Sequence, residues 1–412
     1  MKYDRRDFLS ASLAAGTTCL FPADCFSANL ARRPRIAAII TEYRPLSHAD
    51  VIVTRFIQGH VLGTDTTYGA RTQIASMYVD QFPKGDLSRP VGNQYGIPIK
   101  DSIESALTLD TDQLAVDGVL IIGEHGNYPH NEKGQHMYPR RRMFEEVVAT
   151  FEKTGKAVPM FNDKHLGFAW KDAKWMYDKS RELEFPLMAG SSLPTTWRRP
   201  DLELPNGVEL DEALAIGYGG LEAYGFHALE TLQCMIEHRK GGETGVRSVR
   251  CLEGDDVWKA AERGEWSREL LTAALDSVDN KLVGSPEKNC KNPAVYLIEH
   301  VDGLRSSIVM LSGYNNAFAF ACRRKNGKVD ATHFWLQEPR YGHFSYLTHN
   351  IETMFLTGKE TYPPERTLMT TGVLDAVMTS RFKNHVKIET PELKELVYRN
   401  TSTNIRRAKT DD

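Results

Sequence analysis

What this chain lacks narrows it before any motif does. Its cysteines form no Cys-x-x-Cys pair, and Cys234, Cys251, Cys290 and Cys322 are widely spaced. That spacing argues against a zinc or iron–sulfur site and leaves buried free thiols as the expectation. Charge of one sign is also missing, since 51 Lys and Arg stand against 54 Asp and Glu for a net charge of −3. The near-balance supplies no basic face for nucleic acid or an anionic membrane, and fits a small neutral ligand better. No internal repeat or low-complexity block interrupts the sequence, so solenoid and linker architectures are excluded. No apolar run is long enough for a membrane span.

The first residues differ from the rest. Asp4-Arg5-Arg6-Asp7-Phe8-Leu9 precedes a mildly apolar, Ala- and Ser-rich run over residues 9–21. A paired-arginine head followed by a short apolar region is the layout of a twin-arginine export signal. Small residues near Ser27-Ala28 offer a cleavage region, while Cys19 and Cys25 lack the small residues that precede a lipidated cysteine. The expectation is a signal segment over residues 1–33, export to the periplasm or an equivalent compartment, and no membrane span afterwards. The route carries proteins already folded, which suits one that takes up a cofactor beforehand.

From residue 35 onward, apolar runs of strand length alternate with helix-length amphipathic segments. Strands are predicted at 36–40, 74–79, 116–122, 158–161 and 186–189. Helices are predicted at 49–62, 102–109, 141–153 and 169–183. Such alternation argues a doubly wound, Rossmann-like parallel sheet over residues 34–200. After residue 200 the pattern changes. A strand at 210–218, a helix at 223–238, a strand at 246–252 and helices at 255–263 and 267–275 lead into four β-rich runs at hairpin spacing. Asp302-Gly303 and Asn326-Gly327 are among the turns between those runs. This reads as an α+β domain over 201–365, a mostly antiparallel sheet covered on one side by helices. A closing helical segment at 366–393 and a polar tail at 394–412 complete the chain.

Functional groups concentrate where predicted strands end, the edge at which open α/β sheets place their ligands. The strand at 158–161 runs into Asn162-Asp163-Lys164-His165, a lysine between a carboxylate and an imidazole. These groups can supply a proton, accept one, or hold an anion; the competing reading is a polar turn that caps the next helix. Gly123-Glu124-His125-Gly126 follows the most apolar strand, so Glu124 and His125 are expected to face the same crevice as Lys164. Arg140, in Tyr138-Pro139-Arg140-Arg141-Arg142, is suited to a phosphate or carboxylate, or else opens a solvated helix. Trp197 is a candidate to stack on a sugar ring, with packing between domains as the alternative.

The order of these parts, with Lys164 after the fifth strand and Glu222-Ala-Tyr224-Gly-Phe-His227-Ala-Leu-Glu230 opening a later helix, resembles the Gfo/Idh/MocA family, relatives of glucose–fructose oxidoreductase and inositol dehydrogenase. The resemblance spans roughly residues 35–393. It implies hydride transfer between a sugar or sugar derivative and NAD or NADP, with Lys164 and His227 as acid–base groups, and a homo-oligomer formed through the exposed face of the second sheet. The family places a lysine of a Glu-Lys-Pro turn near substrate; here Lys164 carries over and the Glu and Pro do not. Three residues beyond His227, on the same helical face, Glu230 is expected to orient the imidazole. Glu222 and Tyr224 become candidate substrate contacts.

The chain departs from the family at one place. The first turn reads Thr41-Glu42-Tyr43-Arg44-Pro45-Leu46-Ser47-His48, without the glycines that let a pyrophosphate approach a helix N-terminus. Glu42 and Arg44, with Asp80 after the second strand as a ribose partner, are the remaining candidates for cofactor contacts. Two further readings stay open: a lyase or hydrolase on the same fold, and a non-catalytic carbohydrate-binding protein. For the first, Glu124, His125, Asp163, His165, Glu222 and His227 supply hard oxygen and imidazole donors, so a divalent metal is an alternative cofactor.

Overall fold

A computed structural model describes residues 32–63, 66–279, 281–337 and 341–402. The expected signal segment, apart from residues 32 and 33, and the polar tail from residue 403 lie outside the described residues. The described residues from Pro34 onward form one compact unit built on two large sheets, with a further two-stranded one.

The first half runs β1 (Arg35–Ile40), α1 (His48–Gln58), β2 (His60–Leu62), β3 (Thr66–Tyr68), β4 (Gln73–Val79), α2 (Ser88–Tyr95), β5 (Ile99–Lys100) and α3 (Ile103–Thr108). It continues through β6 (Gly118–Ile122), α4 (Arg140–Thr154), β7 (Met160–Asp163), α5 (Trp170–Glu182) and β8 (Leu187–Gly190). Six of these strands form a parallel sheet in the order β5-β4-β1-β6-β7-β8. The chain winds outward from β1 in one direction and, after β6, in the other, so β1 and β6 flank the switch point where such sheets open a crevice. The strands read as continuous apolar runs because both faces are buried. Ile36, Ala38, Ile40, Leu120 and Ile122 enter one core layer, while Ala37, Ile39, Val119 and Ile121 enter the other.

The second half contains β9 (Trp197–Arg199), β10 (Leu210–Gly217), α6 (Ala223–Ile236), β11 (Val246–Glu253), α7 (Asp255–Glu262), α8 (Arg268–Asp276), α9 (Pro286–Asn289) and β12 (Asn292–His300). Then come β13 (Arg305–Ser312), β14 (Phe318–Arg324), β15 (Val329–Trp335), α10 (His343–Thr357), α11 (Glu365–Phe382), β16 (Ile388–Glu389) and α12 (Pro391–Lys394). The sheet order is β16-β11-β12-β13-β10-β14-β15-β9, antiparallel throughout except for the parallel β10–β13 pair.

The expectation of a sheet covered on one side is corrected. Helices α6 and α11 cover one face with Phe226, Leu229, Leu232, Met369 and Val377. Helices α7 and α8 cover the other, packing Val257, Trp258, Leu270 and Leu271 onto Leu214, Ile216, Val309 and Ala321. The apolar residues that alternate along each strand therefore find helices on both sides. The bare face from which an oligomer was expected is not bare.

Two elements near the chain's end complete the first sheet. α10 lays Phe344, Leu347, Ile351, Met354 and Phe355 into the layer above β1 and against α1. Its approach explains Gly118, where an added Cβ would lie 2.7 Å from the Phe355 ring. α1 itself begins at residue 48 because the Ser47 side chain accepts from Asp50 N, and it ends at Gly59 with φ 87°. The helix predicted to run to residue 62 stops there, and the chain turns into the β2–β3 hairpin.

Candidate functional site

The site grows from the ends of β6 and β7. Lys164 follows β7 with φ 63°, a left-handed backbone that a lysine adopts only under constraint from its surroundings. The constraint is a bridge to β8, in which Lys164 N donates to Gly190 O at 3.1 Å. His125, two strands from Gly190, is likewise left-handed at φ 71°. Left-handed residues therefore end both neighbouring strands and turn their side chains toward the switch point. Thr41, just after β1, closes it by donating its hydroxyl to Glu124 O at 2.8 Å.

Behind the crevice lies a buried charge network. Lys164 Nζ is 3.1 Å from Glu124 Oε1, and Arg140 donates to the other oxygen of the same carboxylate. Arg140 Nη1 also donates to His165 Nε2 at 3.0 Å, and Glu222 Oε1 lies 3.3 Å from that nitrogen. Two cations face two carboxylates, the balance that buried charges require. Burial opposes ionisation of Glu124, but Lys164 and Arg140 hold its carboxyl well below the usual range. Burial, reinforced by Arg140, lowers the pKa of His165 despite Glu222 beside it. A guanidinium only donates, so His165 Nε2 accepts and the ring is neutral with its proton on Nδ1.

In front of this network is a crevice of about 260 Å³, whose walls include His48, Glu124, His125, Lys164, Tyr224 and His227. His227, in the first turns of α6, has its Nδ1 2.7 Å from Ser191 Oγ, and that oxygen also accepts from Leu193 N. Burial, then Lys164 and His48, push the pKa of His227 well below its ordinary value. Burial and His48 lower that of His125 to about 4. Burial also lowers the pKa of His343, on the same wall, to about 3, so three neutral imidazoles share the crevice with the side chain of Lys164. Tyr224 stands exposed at the mouth.

The structure brings together Lys164, His227, Glu124 and His125, with His165 and Glu222 behind them. Asp163 contributes through His48, whose Nδ1 donates to Asp163 Oδ2 at 2.6 Å. Arg140 serves the buried network and is not presented to solvent for an anion. Glu230 does not orient His227. Its carboxyl accepts from Thr370 Oγ1 at 2.7 Å, Thr367 Oγ1 at 3.3 Å and Ser191 N at 3.4 Å, and burial raises its pKa. Residues three apart on α6 share a face broadly, but Glu230 packs into the seam with α11 while His227 faces the crevice. Ser191 is the partner that sequence spacing could not supply.

Trp197 lies on β9 at the far edge of the second sheet, 4.7 Å from the Trp335 ring, and packs there instead of lining the crevice. Five of the six candidate metal ligands are paired with a cation, a histidine or a serine, and the Nδ1 of the sixth, His125, has no partner. Among the described residues, no group of three or more His, Cys, Asp and Glu is disposed to hold a metal ion. The four described cysteines are free and buried, as expected. His48 was not among the candidate site residues; its signal was the Ser47 cap, which puts it at the first position of a helix aimed at the switch point.

The turn that would carry a dinucleotide's pyrophosphate can be tested residue by residue. Arg44 N and Asp50 N donate to Ser47 Oγ at 3.2 and 3.3 Å, and Leu46 N donates to Asp50 Oδ2 at 2.8 Å. The amides that phosphates use elsewhere are therefore satisfied by the chain's own side chains. Glu42 adds a buried carboxylate, paired with Arg44 at 2.5 Å. Asp80 already accepts from Tyr128 at 2.6 Å, Tyr78 at 2.8 Å and Arg142 at 2.7 Å. Neither the turn nor the ribose position fits a dinucleotide held in the usual way.

No family model matches the sequence, and no curated protein matches it. Solved structures match the fold along nearly its whole length. GenD2 from gentamicin A biosynthesis, in complex with NAD, is 12% identical with a TM-score of 0.56, covering 92% of this chain and 99% of its own. Myo-inositol dehydrogenase from Lactobacillus casei, in complex with NAD(H) and myo-inositol, is 10% identical with a TM-score of 0.55, covering 91% and 100%. An oxidoreductase from Agrobacterium radiobacter, in complex with NAD+, L-tartaric acid and magnesium, is 14% identical with a TM-score of 0.50, covering 87% and 98%. At these identities the likeness is one of fold, and the fold is the one implied by the Gfo/Idh/MocA resemblance.

Proposed function

We propose that this chain is an acid–base enzyme acting on a small sugar-like molecule bound in the crevice, and that its chemistry is not hydride transfer. The observation that carries this reading is the meeting of the Lys164–Glu124 pair with two neutral imidazoles, His125 and His227, beside a first turn that closes on itself. Enzymes that move protons at carbon need a cation where negative charge develops and a neutral base within reach. Lys164 suits the first role, its ammonium fixed by Glu124, whose other oxygen Arg140 holds. His227, oriented by Ser191, suits proton exchange with a substrate hydroxyl. Tyr224 and Tyr218 at the wall offer apolar faces against which a sugar ring packs. The substrate class is a polyol-derived molecule carrying a carbonyl or carboxyl group, in keeping with the myo-inositol and tartaric acid bound by fold neighbours.

A second reading, an oxidoreductase using NAD or NADP, is favoured by those neighbours, which hold NAD. The test is nuclear magnetic resonance of the full chain in D₂O with ketoses, uronic acids, keto-inositols and tartrate, with and without NAD+ and NADP+. The acid–base reading expects product, or deuterium at a carbon next to the carbonyl, without added nucleotide. Conversion that requires nucleotide supports the second reading, and sugar binding without conversion supports a non-catalytic binder. We also propose export by the twin-arginine route, on the strength of Arg5-Arg6 and the apolar run behind them.

A further inference from the structure

We infer that His48 and Asp163 form a carboxylate–histidine dyad in which His48 Nε2 is the base that takes a proton from substrate carbon. This rests on the acid–base reading and names a group that the reading left open. The position matters. His48 opens α1, in the turn where dinucleotide-binding sheets hold phosphate, and Asp163 ends β7 two strands away. Closure of that turn therefore does more than remove a phosphate cradle. It sets an imidazole at the switch point.

The geometry assigns the tautomer. Asp163 is buried and its Oδ2 lies 2.6 Å from His48 Nδ1, so Nδ1 carries the proton and donates it. Nε2 is then the lone-pair nitrogen. The His48 side chain is only 15% exposed and lines the crevice. The His125 and Phe344 rings pack against it, with centroids 5.4 and 5.2 Å away. A hydrogen-bonded carboxylate does two things for such a base. It fixes which nitrogen faces the reactant, and it stabilises the imidazolium that forms. His227 has only a serine hydroxyl on its second nitrogen, and the Nδ1 atoms of His125 and His343 have no partner, so none of the three gains that stabilisation. Among the imidazoles lining the crevice, His48 is the one built to hold an extra proton transiently.

The step balances without a co-reactant. Nε2 takes the proton from the carbon next to a carbonyl, the C–H electron pair moves into the C–C bond, and the carbonyl π pair moves onto oxygen. Lys164 neutralises that enolate oxygen. Return of the proton from Nε2 restores the carbonyl, and exchange with solvent before return leaves deuterium on the carbon. Asp163 acts through His48 and is a positioning residue.

The experiment uses the full chain labelled with ¹⁵N-histidine, His48→Gln assigning the resonance, together with the deuterium-exchange panel above. Expected are a protonated Nδ1 and a lone-pair Nε2 on His48 at neutral pH, and loss of that tautomer preference in Asp163→Asn. His48→Gln is expected to lower exchange by at least about 100-fold in kcat with KM little changed, the range for loss of a positioned base. Two results overturn the dyad while the acid–base reading stands: a proton on Nε2, or undiminished exchange in a folded His48→Gln. A wild-type protein that exchanges and converts nothing in the panel defeats both.

Discussion

Lys164 Nζ and Glu124 Oε1 stand 3.1 Å apart, both buried, at the ends of adjacent parallel strands. The carboxylate serves two cations, because Arg140 pairs with its other oxygen. Glu124→Gln leaves two buried cations facing a neutral amide. Breaking a buried pair in this way costs about 3–5 kcal/mol, so the variant is expected to lose that much in urea unfolding. Lys164→Met leaves Glu124 still paired with Arg140. It is expected to fold better than Glu124→Gln while losing all deuterium exchange.

The histidines set an acid limit. The pKa of His125 falls from about 6.5 in the unfolded chain to about 4 in the folded one, and burial, then Lys164 and His48, push that of His227 well below its ordinary value. A lowered histidine pKa means that the unfolded chain binds more protons, so stability falls as pH drops below about 6.5. Glu124 adds a second decline at lower pH, since its carboxyl is held below the unfolded value and its contribution is lost as pH falls through that range. Urea midpoints at successive pH values from neutral downward should fall first across the histidine window and then more steeply. A midpoint indifferent to pH between 7 and 5 would contradict the neutral-imidazole assignment.

Glu230 separates structure from chemistry. Glu230→Ala strands the amide of Ser191 and removes one acceptor from the hydroxyls of Thr367 and Thr370, which keep Ala189 O and Thr367 O, at about 1–3 kcal/mol. Thermal unfolding is the measurement, and the folded fraction should keep its exchange rate. Ser191→Ala should touch both. It strands the amide of Leu193, at about 1–3 kcal/mol, and frees His227 Nδ1, lowering exchange in the folded fraction by about tenfold for one lost orienting hydrogen bond.

Ser47 is expected to matter for stability. Its hydroxyl satisfies two amides at the start of α1, and Ser47→Ala should cost about 1 kcal/mol, read as a lower Tm. Calorimetry with NAD+ on the same variant gives a second readout. No heat of binding should appear in either wild type or variant, because Glu42 remains.

Export has its own test. Replacing Arg5 and Arg6 together with lysine should leave the chain in the cytoplasm, read by cell fractionation. Transport of the double variant as efficiently as wild type would remove the twin-arginine reading.

Both layers of the fold were legible because the signals were local and periodic. The run at 118–122 is apolar at every position, and β6 is buried on both faces. The hairpin turns at Asp302-Gly303 and Asn326-Gly327 mark where β12–β13 and β14–β15 reverse. Lys164 and His227 were legible as polar groups near element ends, and both line the crevice. What stayed hidden was pairing over distance. Nothing in the spacing of His48 and Asp163, separated by 115 residues, announces a hydrogen bond between them. Glu230 was misassigned for the same reason, since its real partners Thr367 and Thr370 come from a helix far along the chain. The cover on the second face of the antiparallel sheet also depended on where α7 and α8 fold back, which amphipathicity alone does not say.

The helix that finishes the first sheet arrives late. Gly118 lies against Phe355, and α10 supplies Phe344, Leu347, Ile351 and Met354 to the layer over β1 and β6. During synthesis, then, Ile36, Ala38, Leu120 and Ile122 have α1 over them but lack the α10 part of their cover until the ribosome has passed residue 357. A fragment ending near residue 200 is an unfinished product that exposes a flat apolar surface and invites aggregation, not a module to be cloned alone. Vectorial completion of this kind ties the maturation of the crevice to release of nearly the whole chain.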